Sequence, residues 1–549
     1  MVYLVARGDG RDGGGVVRQF PRTRRVSTFL GLILLPALQA ANPVIVKIKT
    51  QPLLPVAAGF SGVNAPQPRN GVEYFDPKFI TAVAPLKAGL VRYPGGTVSM
   101  DFDWNPLDAS GGHTNIAWMN SLIASNPQLV TGQSATILST SQQLTQAKGG
   151  VFFSDFASFV NTLGASAILC FNSYTDNNPG SATQMALAAQ GYGLKVAEWE
   201  LGNEAYLYPA IYPTSAAYAA ASNPYFNDIQ SGAPTATVGV FAGGWYPGAA
   251  GCGASAAPPQ ACFPVWDQGL WQSSAPPYWN AVSNHIYPIT STLSAQNTMF
   301  ALNGILAHGS SDYVNSYLVP LVGANTPVFI TEMNCCTSYN NKFLSYLYNG
   351  IFLAEYIARL SAVPNVKGVL INSLYTDDSD YHGLIKSVDD YESYLLGQIA
   401  ANPSYSTNTA TDPNTQFQFY TSAPGLAMEV ANQAINSGTQ MFLTSVTGGP
   451  TVDITGFDGN PIPAVFAQAY LSSHSRHFLL ITNKSSAGQS VTIELDGTPV
   501  KATLSVTYVA NSSPIAANSA QAPANVQIQS FSGVSPIHIA GYSVTTVTW

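Results

Sequence analysis

Eight short apolar runs, separated by helix-like stretches between about residues 59 and 437, constrain this chain more than any other feature. The runs cover residues 57–62, 89–93, 167–172, 195–201, 236–241, 281–287, 327–331 and 368–373. Helical pieces are expected at 76–84, where Pro85 stops the pattern, and at 154–163, 181–190, 343–360 and 425–436. Strands that all run parallel need long crossovers, usually helices, so this alternation predicts a parallel α/β sheet. Eight units fit a (β/α)8 TIM barrel; a doubly wound open sheet shares the same pattern. After about residue 438 the texture changes to short alternating segments (441–446, 465–471, 477–482, 490–495, 542–548) broken by Gly, Pro, Asn and Ser. That is the pattern of an antiparallel β-sandwich. Residues 44–49 alternate Val or Ile with Lys and are expected to join it. The predicted organisation is a signal region at 1–41, an N-terminal sandwich strand within 42–58, the barrel at 59–437 and the C-terminal β-sandwich at 438–549.

Composition narrows the setting. Only 9% of the 549 residues are charged while 46% are hydrophobic, so the surface depends on Ser, Thr, Asn, Gln and Gly for solubility. The net charge of −8 argues against nucleic acid or another polyanion as partner, because those need a Lys and Arg stripe. Near the N-terminus, Arg18, Arg22, Arg24 and Arg25 precede the apolar stretch 29–38 and the small residues Ala40 and Ala41. A stretch that short does not span a bilayer comfortably and reads as a secretory signal. A secreted, extracellular or periplasmic protein is expected, with no membrane span once the signal is removed.

Two glutamates carry the chemistry. Glu204 closes the string Val196-Ala-Glu-Trp-Glu-Leu-Gly-Asn-Glu204 and Glu332 follows Pro327-Val-Phe-Ile-Thr. By the strand count they follow the fourth and seventh strands, at the C-terminal mouth where barrel enzymes keep their reactive groups. Two carboxyl groups facing one hollow are the minimum equipment for cleaving a glycosidic bond, with roughly 5–5.5 Å between them in a retaining enzyme. Glu204 is expected as acid/base, its pKa raised by burial and neighbouring negative charge, and Glu332 as nucleophile. Glu200 is expected to be a structural partner in its strand. No Gly-rich phosphate loop, zinc motif or Ser/His/Asp elbow is present, and neither cofactor nor metal is expected. The Asp377–Asp380 cluster near His382 lacks the spacing of a calcium loop.

Several blocks resemble, in order, the heparanase and β-glucuronidase family, glycoside hydrolase family 79, of the retaining barrel clan. They are Val91-Arg-Tyr-Pro-Gly-Gly-Thr97, Phe171-Asn172, Trp199-Glu-Leu-Gly-Asn-Glu204, Asn284-His-Ile-Tyr287, Ile330-Thr-Glu-Met-Asn334 and Asp380-Tyr-His-Gly-Leu384. The resemblance spans about residues 59 to 437 and implies a barrel with a small sandwich built from both termini. It also implies that Glu204 is the proton donor, that Glu332 is the nucleophile and that Tyr287 hydrogen-bonds Glu332. His285, Asn203, Asn172 and Arg92 would line the sugar site, and Tyr381 would help receive a substrate carboxylate. Ala205 stands where that family commonly has proline, Pro94 interrupts the second-strand block, and Met333–Cys336 lacks small hydroxylated residues.

The expected substrate is a carbohydrate, a terminal β-linked glucuronide or related hexoside, cleaved by an exo-acting enzyme. An arabinofuranosidase or xylosidase of the same clan is the enzymatic alternative, and a noncatalytic carbohydrate-binding surface protein is the alternative from another class. The aromatic stretch from Trp245 to Trp279, expected as a long loop after strand five, is either a sugar platform or packing against the barrel. Of five cysteines, Cys252 and Cys262 share one loop that a disulfide could close, and Cys170 reads as a buried thiol. The adjacent Cys335 and Cys336 form a vicinal bridge, or one of them reaches a distant partner.

Overall fold

The computed structural model describes residues 43–549 apart from 66–73, 101, 106–111, 116, 118–119, 122–123, 125–151, 174–175, 177–179, 210, 247–261, 273–278, 309–312, 339, 378–379, 388–399, 403–417 and 455–459. The proposed signal region, Cys252, Tyr278 and most of the polar 401–414 loop lie outside these residues.

All eight expected runs form strands of one closed parallel barrel. In order they are Ser61–Asn64, Leu90–Tyr93, Ser166–Phe171, Val196–Leu201, Val238–Phe241, Ala281–Ile286, Val328–Met333 and Val366–Asn372. Each pairs with its sequence neighbours, and the eighth closes on the first through Val369–Ser61 and Asn372–Asn64. Leu90, Ile168, Ala281, Phe329 and Leu370 share a small core of their own. Helices cover the outside because their apolar faces match it. In Phe153–Leu163 the residues Phe153, Phe156, Ala157, Phe159 and Val160 are buried, and Gly164 ends the helix in a left-handed conformation.

The first strand begins four residues later than expected. Residues 57–59 turn instead, because Gly59 has φ +64° and passes against Gly89, where an added Cβ would stand 2.1 Å from the Gly59 Cα. Pro85 does not stop the chain abruptly. It sits inside a 3-10 turn, Ala84–Leu86, that extends the helix Pro77–Val83. The segment after strand five is not a plain loop, since it holds the helix Pro264–Gln272.

Apart from three small sheets of two or three strands, the remaining strands make a ten-stranded sheet, antiparallel except where the N-terminal strand Val44–Pro55 runs parallel to Gln489–Leu495. That N-terminal strand also pairs antiparallel with Gln440–Thr447. Val46 and Ile493 near one end share a core with Val506 and Val547 near the other, so the sheet folds back on itself as a sandwich. Its opposite face packs on the barrel helices Leu347–Leu360 and Ala423–Ile435, with Thr546 Oγ1 donating to the Val430 carbonyl at 2.7 Å. No helix among the described residues is long and apolar enough to cross a membrane.

Candidate active site

The mouth of the barrel is organised around Arg92, at the end of the second strand. Its side chain is fully buried, and a buried cation must be paired to be tolerated. Nε donates to Glu200 at 2.5 Å, Nη1 to Glu332 at 2.7 Å and Nη2 to the Asn203 side-chain oxygen at 2.9 Å. One guanidinium thereby ties strand two to the ends of strands four and seven. Glu200 is the structural partner expected of it, and it also accepts from Thr331 at 2.6 Å. Burial, reinforced by the neighbouring Glu200, pushes the carboxyl of Glu198 well up.

Glu332 closes the seventh strand and is held from several sides. Besides Arg92, Tyr287 donates its hydroxyl at 2.9 Å, and Asn64 and Asn372 approach at 3.3 and 3.4 Å. Asn372 also donates to the Tyr287 oxygen at 2.7 Å. Donors of this kind stabilise an anion where it stands.

Glu204 follows the fourth strand through the tight turn Gly202-Asn203. Its φ of +44° lies in the left-handed region that non-glycine residues rarely occupy, a strain that recurs at functional sites. The turn is held from below by Asn203 N–H donating to Met100 Sδ at 2.9 Å and Cys170 Sγ donating to the Gly202 carbonyl at 2.9 Å. Its carboxylate accepts from Tyr206 at 3.2 Å and from Tyr246, and His285 Nδ1 lies 2.8 Å away. The raised pKa expected for Glu204 is not found. Burial alone would push it up, but the charge and hydrogen bond of His285, then the two tyrosine hydroxyls, more than offset that and hold the carboxyl below its ordinary value.

The decisive geometry is a shared nitrogen. His285 Nδ1 stands 2.8 Å from Glu204 Oε1 and 3.7 Å from Glu332 Oε2. Those oxygens can be no further apart than the sum of the two distances. That limit accommodates the roughly 5–5.5 Å of a retaining pair. Both side chains keep contact with solvent, 16% exposed for Glu204 and 7% for Glu332, while Arg92 and His285 have none.

Neither a family model nor a curated protein matches this sequence. Solved structures do. An α-L-arabinofuranosidase from Thermotoga maritima is 16% identical with a TM-score of 0.62, over 92% of this chain and 99% of that one. A GH51 arabinofuranosidase from Xanthomonas axonopodis pv. citri is 13% identical with a TM-score of 0.60 over the same shares. A 4-O-α-L-rhamnosyl-β-D-glucuronidase from Fusarium oxysporum 12S is 14% identical with a TM-score of 0.55, over 92% of this chain and all of that one. The (β/α)8 barrel with its β-sandwich is the fold these share.

Of the expected site residues, Glu204, Glu332, Arg92, Asn203, His285 and Tyr287 converge in one network. Asn203 turns its side-chain oxygen to Arg92 and is itself buried. Asn172, buried just past the third strand, donates to the Phe102 carbonyl at 3.4 Å. Tyr381 packs at the edge of the core with Lys386 Nζ 5.3 Å from its ring centre. Asn64, Asn372, Tyr206 and Tyr246 were not singled out individually as site residues. The two asparagines end the first and eighth strands, and the strand pattern alone could have marked them. The aromatic stretch is largely packing: Trp245 is buried and stacks on Tyr313, and Trp266 donates to the Phe241 carbonyl. Tyr246 is its exception, stacked on Tyr287 and bonded to Glu204. Among the described residues no group of three or more His, Cys, Asp or Glu is arranged to hold a metal ion.

Proposed function

We propose that this protein is a secreted retaining glycoside hydrolase, exo-acting on terminal β-glucuronides or closely related hexosides. The observation that carries the chemistry is the pair of glutamates sharing His285 Nδ1 at the mouth of the barrel. Glu332, held by Arg92, attacks the anomeric carbon while the glycosidic C–O bond breaks and Glu204 hands its proton to the departing oxygen. A glycosyl ester on Glu332 results. Glu204, now a base, takes a proton from water, whose oxygen attacks the anomeric carbon and releases Glu332. Tyr287 hydrogen-bonds the nucleophile and His285 contacts the acid/base as charge moves.

The acidic sugar is supported by the sequence blocks. The arabinofuranosides named for two of the similar structures are the competing substrates, since their folds superpose at higher TM-scores than the glucuronidase does. Chromogenic glycosides separate the readings. Release from β-glucuronide above all other sugars is the expected result, and release confined to α-L-arabinofuranoside would replace it. Silence on the whole panel, with glycan still bound, would leave a noncatalytic binding protein.

A further inference from the structure

We propose that Cys335 and Cys336 are joined in a vicinal disulfide that braces the loop behind Glu332. The two residues follow the nucleophile's strand directly, at zero and 2% exposure. The structure holds both as free thiols, yet their sulfurs stand 2.7 Å apart, inside the contact separation of unbonded sulfurs though longer than the roughly 2.05 Å of the bond itself. The structure bonds Cys262 in a disulfide, and such bonds persist in the oxidising setting that the proposed secretion supplies. Burial, with Cys336 alongside, also pushes the Cys335 thiol well up and disfavours the reactive thiolate once the chain has folded.

The loop is connected to the site on both sides. Ile289, beyond the sixth strand, donates to the Cys335 carbonyl at 3.1 Å, and Thr337 donates back to Ile289 at 3.0 Å. The Cys335 N–H is taken by the Asn334 side chain at 2.8 Å, whose amide donates to the Asn372 carbonyl at 2.8 Å. Asn372 is the residue that touches both Tyr287 and Glu332. A ring through Cys335 and Cys336 fixes the start of that chain of contacts.

The chemistry is thiol–disulfide exchange with a low-molecular-weight or protein disulfide while the chain is still open. One cysteine thiolate attacks the oxidant's sulfur and expels a thiol. The neighbouring thiolate attacks the mixed disulfide and expels the second, so two hydrogens pass from the protein to the oxidant. The test uses full-length protein matured in an oxidising host, denatured in alkylating reagent without reductant and digested. The peptide spanning residues 335–336 is expected unalkylated and two hydrogens lighter than its dithiol form. Alkylation at both sulfurs, or a bridge from either to Cys170, overturns the ring. The brace rests on the proposed hydrolase reading and is tested apart from the mass. A variant carrying Cys335→Ser and Cys336→Ser is expected to keep KM and lose about tenfold in kcat, the scale of a small displacement of a reacting group. Equal kcat in a folded variant overturns the brace while the mass result stands on its own.

Discussion

At the scale of single residues the site is a charge-balancing problem around Arg92 and His285. Arg92 serves two carboxylates and an amide with three separate nitrogens, a spread that a single ammonium cannot reproduce. Arg92→Lys is therefore expected to leave a folded protein whose kcat falls roughly 10²-fold, through a displaced Glu332. A variant with unchanged kcat would show that Glu332 is held by Tyr287 and the asparagines alone. His285 governs pH. Because it lowers the Glu204 pKa, the proposed acid loses its proton at a lower pH than an ordinary glutamate does. The alkaline limb of kcat/KM follows loss of that proton and is expected at acidic pH. In His285→Asn burial is left as the main influence, so the Glu204 pKa rises and the limb moves to higher pH. A limb that stays put would remove His285 from the control of the acid. The nucleophile role proposed for Glu332 is checked by Glu332→Gln, expected to abolish turnover in a protein that still folds, with a lowered thermal transition because buried Arg92 loses one of its two carboxylates. Glu204→Gln should spare substrates with good leaving groups more than poor ones, since these need less proton assistance.

At the scale of elements, the barrel depends on backbones that approach closely. Gly89 enters the second strand against the turn at Gly59, and its N–H donates to the Ser61 carbonyl at 2.8 Å. Gly89→Ala forces a methyl into the Gly59 backbone and is expected to cost about 1–3 kcal/mol, read from urea unfolding. A cost near zero would mean the turn can move aside. This crossing also explains one limit of sequence reading. The apolar character of Ala57 and Ala58 extends the run, but only the contact with Gly89 decides that the chain turns before it pairs. The barrel strands were otherwise legible because strands buried on both faces are continuous apolar runs. The helix Ser215–Gly232 was harder to see, being rich in Ala, Ser and Asn with Pro224 inside it. The site divides along the same line. Glu204, Asn203, His285, Tyr287 and Glu332 sit in local strings with recognisable flanks. Asn64 and Tyr246 reach the carboxylates only through closure of the ring and the return of the strand-five segment, contacts set by distance in space rather than along the chain.

At the scale of the whole molecule, barrel and sandwich are fastened by buried charge as well as apolar contact. Glu355, on the barrel helix Leu347–Leu360, is fully buried. It meets Lys484 of the sandwich at 2.5 Å, Arg359 at 2.7 Å and Thr482 at 2.9 Å. Burial opposes its ionisation, yet Lys484 and Arg359 hold its pKa below the ordinary value, while burial pulls the Lys484 ammonium down in spite of its partner. Both shifts act in one direction. A group with a lower pKa in the folded state binds fewer protons there than in the unfolded chain, so stability rises with pH across the interval between the two values. Glu355 contributes in full above its unfolded pKa of about 4.3, and the contribution is lost as pH falls through the folded value. Glu355→Gln removes that dependence and leaves Lys484 buried without its counter-ion, at an expected cost of about 3–5 kcal/mol near neutral pH. The measurement is the urea midpoint of both proteins from neutral pH downward. The gap between them should be widest at neutral pH and narrow on acidification, because protonating Glu355 does to the parent what the substitution does permanently. A gap that is small throughout, or constant with pH, would mean the seam is held by its apolar and backbone contacts and that this ion pair adds no net stability.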